Sequence, residues 1–372
     1  MSENIVVLTG HSIGGGEKRL GRLAAYLASD SNYTLLTNAT LVDSLDKQGI
    51  ELSQLKSVVI LPDIYPLIKK IPWLQPLQSL LLLVQLRHFF WNKKFGLVHF
   101  FGFHHGVFAK CVSSVKAKRI GYSVVSTRII DEPRESGLYS RLSRISKHVD
   151  YFDCLSADIK KSVCSLFGLS DDRVFDAPCS FIEYKELTLP DKKNGVMFLA
   201  RFEEIKNPLL FLKAVNLLNK SHPHLVRETD FEMYGHGSEE QNMRDYIKDN
   251  NLEEFVSVSF TNRPFDAFCK NKIYCSLAGE GGNYPSQSLI EAMYCKNGVI
   301  ATNTGETHKI INENTGLLIN LDEVELANAM LELLSNKQLC DSIAEKAHLH
   351  VVEAHNIERF TEYFRSISSP QA

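Results

Sequence analysis

Short apolar runs alternate with amphipathic segments from one end of the chain to the other. In the first half, runs rich in β-branched and aromatic residues predict strands at residues 5–9, 33–36, 58–61, 97–101, 120–126, 151–155 and 173–177. Between these runs, residues 17–28 and 138–149 each place four apolar side chains on one helical face. This alternation predicts βαβ units and a parallel sheet.

The alternation begins again after a polar segment at residues 187–194, which contains Pro190 and two lysines and which we interpret as a linker. Further strands are predicted at residues 196–200, 231–234, 256–260, 273–277 and 299–302. Asn207 before Pro208 predicts the start of a helix, and capping boxes are predicted at residues 238–241 and 322–325. The fold class is therefore α/β, with two Rossmann-like parallel-sheet domains.

Composition and length agree with two globular domains. The chain has 372 residues, of which 44% are apolar and 23% charged, and a single core seldom grows beyond roughly 250–300 residues. We expect an N-terminal domain at 1–190, a C-terminal domain at 191–355, and a last helix at 356–372 that packs back on the first domain. Ligands of such folds bind beyond the carboxyl ends of the strands, and we expect a cleft between the two domains.

Charge is divided unevenly between the two halves. Residues 1–190 carry a net charge of +5 and residues 191–372 carry −8. The basic half fits an anionic partner such as a lipid phosphate, and equally a solvated surface without a partner. The acidic second half and a pI near 6.5 argue against a nucleic-acid partner.

Cysteine usage and the N-terminus predict a cytoplasmic protein. None of the eight cysteines belongs to a C-x-x-C pair, so we expect reduced core thiols and no zinc or other metal site. The chain enters its first strand without a basic leader segment, and no secretory signal is predicted.

Residues 79–91 form a strongly apolar stretch that is too short to cross a bilayer. It is interrupted by Gln85, Arg87 and His88, whereas a spanning helix needs about 20 apolar residues. Lysines and tryptophans flank the stretch, which suits a helix in the membrane interface. A buried helix of the first domain is the favoured interpretation, because short apolar runs more often belong to the core. Together with the basic segment 134–148, the stretch predicts peripheral contact with the inner face of an anionic membrane.

The loop after the first strand is rich in glycine. Gly14 and Gly15 stand just before a predicted helix, where backbone amides can approach an anion closely. The spacing matches neither G-x-G-x-x-G nor G-K-[ST], so the dinucleotide and P-loop motifs are excluded. A tight turn without a ligand is the alternative.

Two loops of the second half place charged or glycine residues at strand ends. Arg201 ends one strand and Lys206 precedes a helix, so both cations can converge on a diphosphate. Gly235 and Gly237 follow the next strand and allow close approach of the backbone. Solvated loops and plain turn geometry are the alternatives for these residues.

A third loop, at residues 276–293, is the most informative. Amides near Ser286, Gln287, Ser288 and Leu289 can bind a phosphate, and Glu291 can accept hydrogen bonds from a ribose diol. The alternative is structural, because Ser288 and Glu291 have the spacing of a capping box. We expect recognition of a nucleotide base near residues 260–263, which include Asn262.

Taken together, these motifs resemble the retaining glycosyltransferases of the two-Rossmann GT-B architecture, family 4, also called glycosyl transferases group 1. The resemblance covers nearly the whole chain, and its motifs are individually weak but specific in their order. They are Gly14, Gly15, Glu17 and Lys18; Arg201 and Lys206; Gly235 and Gly237; Glu291–Met293; and the run from Val299 through Gly305 and Glu306 to Leu318.

The resemblance implies a hexosyl-type transferase of lipopolysaccharide, exopolysaccharide or other surface-glycan synthesis. It implies an acceptor-binding first domain and a donor-binding second domain. Arg201 and Lys206 hold the donor diphosphate, Glu291 holds the ribose, and Gly14 and Gly15 contact the phosphate or sugar. The partners are a nucleotide-sugar donor and a glycan or lipid-linked acceptor. No cofactor or metal is expected, because the sequence contains no Asp-x-Asp.

Two departures from the family pattern affect the site. Asn283 occupies the position of a second glutamate that contacts the transferred sugar, and Glu280 lies three residues out of register. Where the family often has H-x-H, this chain has His99 and Phe101, so His104 or His105 would take the place of the second histidine. Either of those two histidines can equally belong to the core or face solvent.

Two other classes of protein remain as alternatives. A non-catalytic nucleotide-sugar or glycan binding protein with the same fold is favoured by Asn283. An oxidoreductase using a nicotinamide cofactor would need G-x-G-x-x-G followed about 20 residues later by an acid, and neither half supplies that arrangement.

Overall fold

The structure is a computed structural model that describes residues 3–11, 15–29, 32–68, 70–102, 104–125, 129, 134, 136–177, 181–182, 191–279 and 286–369. Contacts between residues divide the chain into two compact units. Unit 1 comprises Met1–Pro178 and Ile357–Ala372, and unit 2 comprises Cys179–Asn356.

Unit 1 contains a seven-stranded parallel sheet. Its strands are β1 (Asn4–Val7), β2 (Tyr33–Asn38), β3 (Val58–Leu61), β4 (Phe95–Phe101), β5 (Ala117–Val124), β6 (Tyr151–Cys154) and β7 (Val174–Asp176). They lie in the order β3-β2-β1-β4-β5-β6-β7. Central β4 is buried from Leu97 to Phe101, as expected for a parallel strand covered by helices on both faces.

The connections of unit 1 are mostly helical. The helices are α1 (Gly15–Ser29), α2 (Ala39–Asp46), α3 (Tyr65–Ile68), α4 (Gln75–Phe90), α5 (His105–Cys111), α6 (Gly137–Ser146) and α7 (Ala157–Phe167). Ser136 and Ser156 cap α6 and α7, each accepting a hydrogen bond from a first-turn amide.

Unit 2 repeats the arrangement with a six-stranded parallel sheet. Its strands are β8 (Lys193–Leu199), β9 (Asp230–Tyr234), β10 (Val256–Ser259), β11 (Asn271–Ser276), β12 (Gly298–Thr302) and β13 (Leu317–Ile319), in the order β10-β9-β8-β11-β12-β13. The helices are α8 (Pro208–Ser221), α9 (Pro223–Arg227), α10 (Glu240–Asp249), α11 (Pro264–Lys270), α12 (Gln287–Tyr294), α13 (Glu323–Ser335) and α14 (Lys337–Ala354).

The last helix, α15 (Ile357–Ser368), belongs to unit 1 although it follows unit 2 in the chain. Two polar contacts attach it to the sheet. The Tyr363 hydroxyl donates to the buried carboxylate of Asp153, and the Arg119 guanidinium donates twice to the Ile367 carbonyl.

The two-sheet fold and every predicted strand are confirmed, with shifts of a few residues at their ends. The predicted domain boundary differs, because Phe181 and Ile182 belong to unit 2 rather than to the first domain. The physical reason is pairing within unit 2: Ile182 forms a parallel bridge with Asn356 and packs in the core that includes α12 and α14.

Helix capping was predicted with mixed success. Asp322 caps α13 as expected, accepting from the amides of Val324 and Glu325. The capping box at residues 238–241 is wrong, since α10 begins at Glu240 without a side-chain cap. Instead the Glu239 amide donates to the Phe202 carbonyl, so the turn is stabilised by the loop after β8.

Each sheet reverses its strand order at one point. In unit 1 the reversal lies between β1 and β4, and in unit 2 between β8 and β11. The connections on either side of such a point leave in opposite directions, which opens a crevice at the carboxyl ends of the two strands. These two places are where the fold positions loops for binding.

Candidate functional site

The loop after β8 carries the two predicted cations of unit 2. Arg201 is 67% exposed, and its Nη1 lies 2.5 Å from Oε1 of Glu203. Burial lowers the pKa of the Lys206 ammonium to about 8; the Arg201 charge adds to this effect and Glu203 opposes it. The two cations are therefore close enough to repel each other, an arrangement that an anion would stabilise.

Backbone hydrogen bonds fix the path of this loop. The fully buried Phe202 donates from its amide to the His236 carbonyl at 2.9 Å and accepts from the Glu239 amide at 2.8 Å. The loops after β8 and β9 are thus joined as one rigid ledge, which holds the backbone of Arg201 at the carboxyl edge of the sheet.

Gly235 and Gly237 are required by this junction. A Cβ atom at Gly235 would collide with the Ala200 carbonyl oxygen, and one at Gly237 would collide with the Phe202 carbonyl oxygen. Gly235 and Gly237 were predicted to bind the donor. The structure shows that they pack against the loop that carries Arg201. His236 between them places its ring 5.2 Å from that of Phe260.

Asn207 also differs from its predicted role. It occupies the cap position of α8, but its φ is +50° and its side chain caps no helix amide. Instead its Nδ2 donates to the Leu277 carbonyl at 2.9 Å, and the Gly279 amide donates to the Ile205 carbonyl at 2.8 Å. These bonds join the loops after β8 and β11 across the point where the strand order reverses.

Helix α12 begins at Gln287, two residues earlier than a capping box at Ser288 and Glu291 would require. Ser286 is the cap, and its Oγ accepts from the Leu289 amide at 3.3 Å. Ser288 instead shares a hydrogen bond with the buried Tyr274 hydroxyl. The capping-box alternative for Glu291 is therefore wrong.

Glu291 is 5% exposed, near the carboxyl ends of β11 and β12. Gln287 Nε2 lies 3.4 Å from its Oε1 and also donates to the Phe181 carbonyl. Leu289 is a core residue, so only its backbone can serve the predicted anion site, and Ser286 already uses that amide. Asn262 is exposed in the loop after β10. Glu280, Asn283 and Gly14 lie outside the described residues.

The corresponding edge of unit 1 is built around His104. Its Nδ1 lies 2.7 Å from Thr9 Oγ1, and its ring centroid lies 4.8 Å from that of His11, which stacks on Tyr65 at 4.5 Å. Burial, together with the smaller effects of the neighbouring His11 and His105, lowers the pKa of His104 to about 4. A neutral imidazole therefore stands at the carboxyl end of β4 at neutral pH.

Asp63 organises the loops around this histidine cluster. Its carboxylate accepts from Asn38 Nδ2 at 2.7 Å, from the amide and hydroxyl of Thr40 at 2.8 and 2.6 Å, and from the Tyr65 amide at 3.2 Å. These bonds hold the pKa of Asp63 below its usual value although burial acts in the opposite direction. Asn38 in turn exchanges two hydrogen bonds with the backbone of Gly10.

The other two histidines of the expected H-x-H region have different surroundings. His99 is fully buried and bonded to Tyr151 and Ser123, and burial lowers its pKa to about 3. His105 lies 2.6 Å from the Tyr122 hydroxyl. His99 is therefore a core residue, and His104 is the histidine that reaches the edge of the sheet.

No group of three or more metal-ligating side chains that could hold an ion occurs among the residues that the structure describes. Within the same residues, the longest apolar helices fall short of what a membrane span requires.

Comparison with known proteins agrees with this geometry. Residues 181–350 match the family model described as Glycosyl transferases group 1. The solved structure of Anabaena HepE in complex with UDP and glucose is similar to the chain with a TM-score of 0.74 at 13% identity, and the match covers 100% of both chains. The chain has the fold of the GT-B glycosyltransferases.

Two curated relatives match parts of this GT-B chain. One is the poly(ribitol-phosphate) alpha-N-acetylglucosaminyltransferase of Staphylococcus aureus, 29% identical over 136 residues, which are 36% of this chain and 27% of that protein. The other is the GalNAc-alpha-(1->4)-GalNAc-alpha-(1->3)-diNAcBac-PP-undecaprenol alpha-1,4-N-acetyl-D-galactosaminyltransferase of Campylobacter jejuni, 25% identical over 228 residues. That match covers 56% of this chain and 58% of the relative. The chain thus spans less than two thirds of either relative's length.

Most of the polar residues at the carboxyl edge of the unit 1 sheet of this GT-B chain were not predicted from the sequence. Thr9, His11, Asn38 and Asp63 were not singled out as site residues. Each follows or ends a predicted strand near the reversal of strand order, so position at strand ends was a usable signal. Gly15, the remaining glycine of the predicted anion loop, is the first residue of α1.

Proposed function

We propose that the protein is a glycosyltransferase that moves a sugar from a nucleotide-diphosphate sugar to a glycan or lipid-linked saccharide in surface-glycan synthesis. The observation that carries this proposal is the convergence of Arg201 and Lys206 on one rigid loop at the carboxyl edge of β8. It is supported by HepE, a protein of the same fold whose structure holds UDP and glucose, and by the two curated transferases.

The two cations act on the leaving group. As the bond from the sugar C1 to the diphosphate breaks, the carbon gains oxocarbenium character and negative charge grows on the diphosphate. A guanidinium and an ammonium already in position stabilise that charge, each by about 3–4 kcal/mol. Binding of the diphosphate completes the protonation of Lys206, because the opposite charge raises a pKa that burial has lowered to about 8.

Other residues position the donor. Glu291 at the far end of the same edge accepts hydrogen bonds from the ribose diol. The first turn of α12, from Ser286 to Leu289, presents backbone amides to the phosphates. In unit 1 the neutral His104 hydrogen-bonds a sugar hydroxyl, and Thr9 orients its ring. Gly14 and Gly15 approach the phosphate or sugar closely, and Asn262 and its neighbours contact the base.

We assign net retention of configuration and no metal requirement. The acceptor hydroxyl attacks C1 on the face that the diphosphate leaves, and its proton passes to an oxygen of the departing phosphate. Both curated relatives are named as alpha-transferases, and an α-linked product from an α-linked nucleotide sugar is retention. The chain has no Asp-x-Asp to hold a divalent ion, and Arg201 and Lys206 supply the positive charge instead.

For the acceptor, we propose a phosphate-linked saccharide at the cytoplasmic face of the membrane. Both relatives are named for acceptors that contain phosphate, one a polyol phosphate and one a diphosphate on undecaprenol. Helix α4 buries one face through Leu82, Leu86 and Phe90 but leaves Leu80 and Val84 more than half exposed. An exposed apolar helix face beside basic residues suits peripheral contact with anionic lipid.

The test begins with a thermal-shift panel of nucleotide sugars, since a ligand that binds only the folded protein raises its Tm. With the donor found, Arg201→Ala and Lys206→Ala should each lower kcat/KM at least about 100-fold. Lys213→Ala, which removes an exposed lysine from α8, is the matched control and should change kcat/KM less than twofold.

Lys206 also gives a readout that does not depend on turnover. At pH 8 its ammonium is about half protonated, so binding of the nucleoside diphosphate should take up about 0.5 proton, measurable by calorimetry in buffers of different ionisation enthalpy. Lys206→Arg should abolish the uptake.

Two outcomes would contradict the assignment. Near-normal transfer by the Arg201 and Lys206 variants would remove them from the donor site, and binding of a nucleotide sugar without transfer or hydrolysis would indicate a binding protein. Failure to float with anionic vesicles at low salt would remove the membrane contact.

A further inference from the structure

Unit 1 contains a groove of about 750 Å³ on the side of the sheet where α4, α5 and α6 meet. Leu80 and Leu83 of α4 form an apolar wall, and Val107 and Ala109 of α5 continue it. The opposite wall belongs to α6. The groove is therefore one continuous cavity within a single unit, and it is separate from the loops that carry Arg201.

The polar lining of the groove is cationic. Arg141 and Arg144 project from α6 and Lys110 from α5, and the described residues that line the cavity include no acidic side chain. Among the described residues, none of these three cations forms an ion pair with a carboxylate. All three side chains are exposed, and together they give the groove a positive potential that attracts an anion.

Arg141 is directed into the groove. Its Nε lies 3.7 Å from the position that a Cβ would take at Gly106, so the guanidinium lies over the backbone of α5. Its charge also adds to burial in lowering the pKa of His105, another lining residue, to about 4. His105 is thus neutral at pH 7 and does not add to the positive charge of the groove.

The groove reaches the carboxyl edge of the unit 1 sheet. His104 belongs to its lining and at the same time contacts Thr9 and His11 at the end of β1. At the other end, the wall continues onto α4, where Leu77 and Val84 are exposed beyond it. A bound molecule can therefore lie with one end at His104 and the other on an open apolar surface.

We propose that this groove binds an acceptor in which a phosphate group joins a saccharide to an apolar chain. The phosphate contacts Arg141 and Arg144, the chain follows Leu80 and Leu83 onto α4, and the saccharide lies toward His104. That the bound molecule is an acceptor rests on the proposed function. The binding of an anionic amphiphile by this groove does not depend on that function. Charge complementarity on one wall and apolar surface on the other select this occupant over a free polyanion.

The probe is farnesyl diphosphate, a short soluble isoprenoid diphosphate, titrated into the full chain by calorimetry. Its Kd should be at least about 10-fold lower than that of inorganic pyrophosphate, because the apolar chain adds buried surface. The double variant Arg141→Ala/Arg144→Ala should weaken binding about 100-fold, roughly tenfold for each charge-assisted contact.

Matched variants separate this site from other sources of affinity. Lys147→Ala/Lys161→Ala removes two exposed positive charges of unit 1 that do not line the groove, and it should change the Kd less than twofold. Leu80→Ser should raise the Kd of farnesyl diphosphate without affecting that of pyrophosphate. The titrations are made in the Arg201→Ala/Lys206→Ala chain, because the proposed donor cations of unit 2 would also bind a diphosphate; binding by the groove should persist in that chain.

Several results would overturn the proposal. One is that farnesyl diphosphate does not bind, or that its affinity falls equally in the groove and control double variants. Another is that it no longer binds when Arg201 and Lys206 are replaced. The last is that a glycerol-phosphate oligomer binds more tightly than farnesyl diphosphate. Failure of the proposed function has a different signature, since a chain that transfers no sugar can still bind the probe through Arg141 and Arg144.

Discussion

The carboxyl edges of the two sheets are built in opposite ways. In unit 2, one loop of eight residues, 200–207, brings Arg201 and Lys206 together, and backbone hydrogen bonds fix its path. In unit 1, the edge is assembled from Thr9, Asp63 and His104, which come from three separate connections. The same topology thus supports a charged site made locally and a neutral site made by tertiary structure.

The difference fits two kinds of ligand. Paired cations in a partly buried loop suit a diphosphate, whose charge changes most during transfer. Neutral imidazoles and hydroxyls suit the hydroxyl groups of a saccharide, which need hydrogen bonds but no counter-charge. The comparison leads to a physical prediction: unit 1, which has three histidines whose pKa burial lowers strongly, should lose more stability in acid than unit 2.

The largest expected effect is this acid sensitivity of unit 1. The folded pKa values are about 3 for His99 and about 4 for His104 and His105, against 6.5 unfolded. Between these values the unfolded state binds more protons, so stability falls as pH falls from 7 to 5. Each histidine contributes about 2 kcal/mol at pH 5, and the three together lower the stability of unit 1 by about 5–6 kcal/mol.

Pulse-labelling hydrogen exchange along a urea gradient reports the midpoints of β4 and β11 separately. The β4 midpoint should fall between pH 7 and pH 5, and it should fall further than that of β11. Burial raises the pKa of Asp153, which acts in the opposite direction, so His105→Gln is the cleaner measurement. That variant should remove about a third of the pH dependence; an unchanged slope would contradict the burial of a neutral His105.

The second effect tests the tertiary assembly of unit 1 through Asp63. Asp63→Ala leaves the donors of Asn38 and Thr40 without their acceptor, and it should lower the free energy of unfolding of unit 1 by about 3 kcal/mol. Asp43→Ala, which removes only an exposed pair with Lys47, should change it by less than about 0.5 kcal/mol.

Urea unfolding at pH 7 measures both variants. If they unfold alike, Asp63 does not organise the edge. Asp63→Asn should be milder than the alanine variant, because the amide oxygen can still accept from one of the donors.

The contrast between the two edges also explains what sequence reasoning could and could not find. The strands, both sheets and the Arg201 loop were predictable because apolar periodicity and strand-end position are local signals. Glu291 was singled out by position too, but its capping alternative could be rejected only when Ser286 was seen to cap α12.

The residues around His104 carry no such local signal. The bond from Thr9 to His104 spans 95 residues, and those from Asn38 and Thr40 to Asp63 span 25 and 23. A single sequence does not tell which polar residues at strand ends will meet, because the order of strands in the sheet decides it. The roles of Gly235 and Gly237 were hidden for the same reason, since the carbonyls they face belong to another loop.

The smallest of the three effects tests the ledge of unit 2 through those glycines. In Gly237→Ala the new Cβ would collide with backbone atoms of Phe202, which cannot move without shifting the loop of Arg201. We expect a loss of about 2 kcal/mol in the stability of unit 2, within the range for overpacking, and a rise in the Kd for the nucleotide sugar.

Gly279→Ala is the matched control in the neighbouring loop. Its Cβ would meet its nearest atom, Nδ2 of Asn207, at 3.5 Å, an ordinary van der Waals contact. The β11 midpoint in urea and the Kd for the nucleotide sugar should both stay near the wild-type values. If Gly237→Ala behaved like Gly279→Ala, the loops after β8 and β9 would not form a rigid ledge, and the local construction of the unit 2 edge would have to be abandoned.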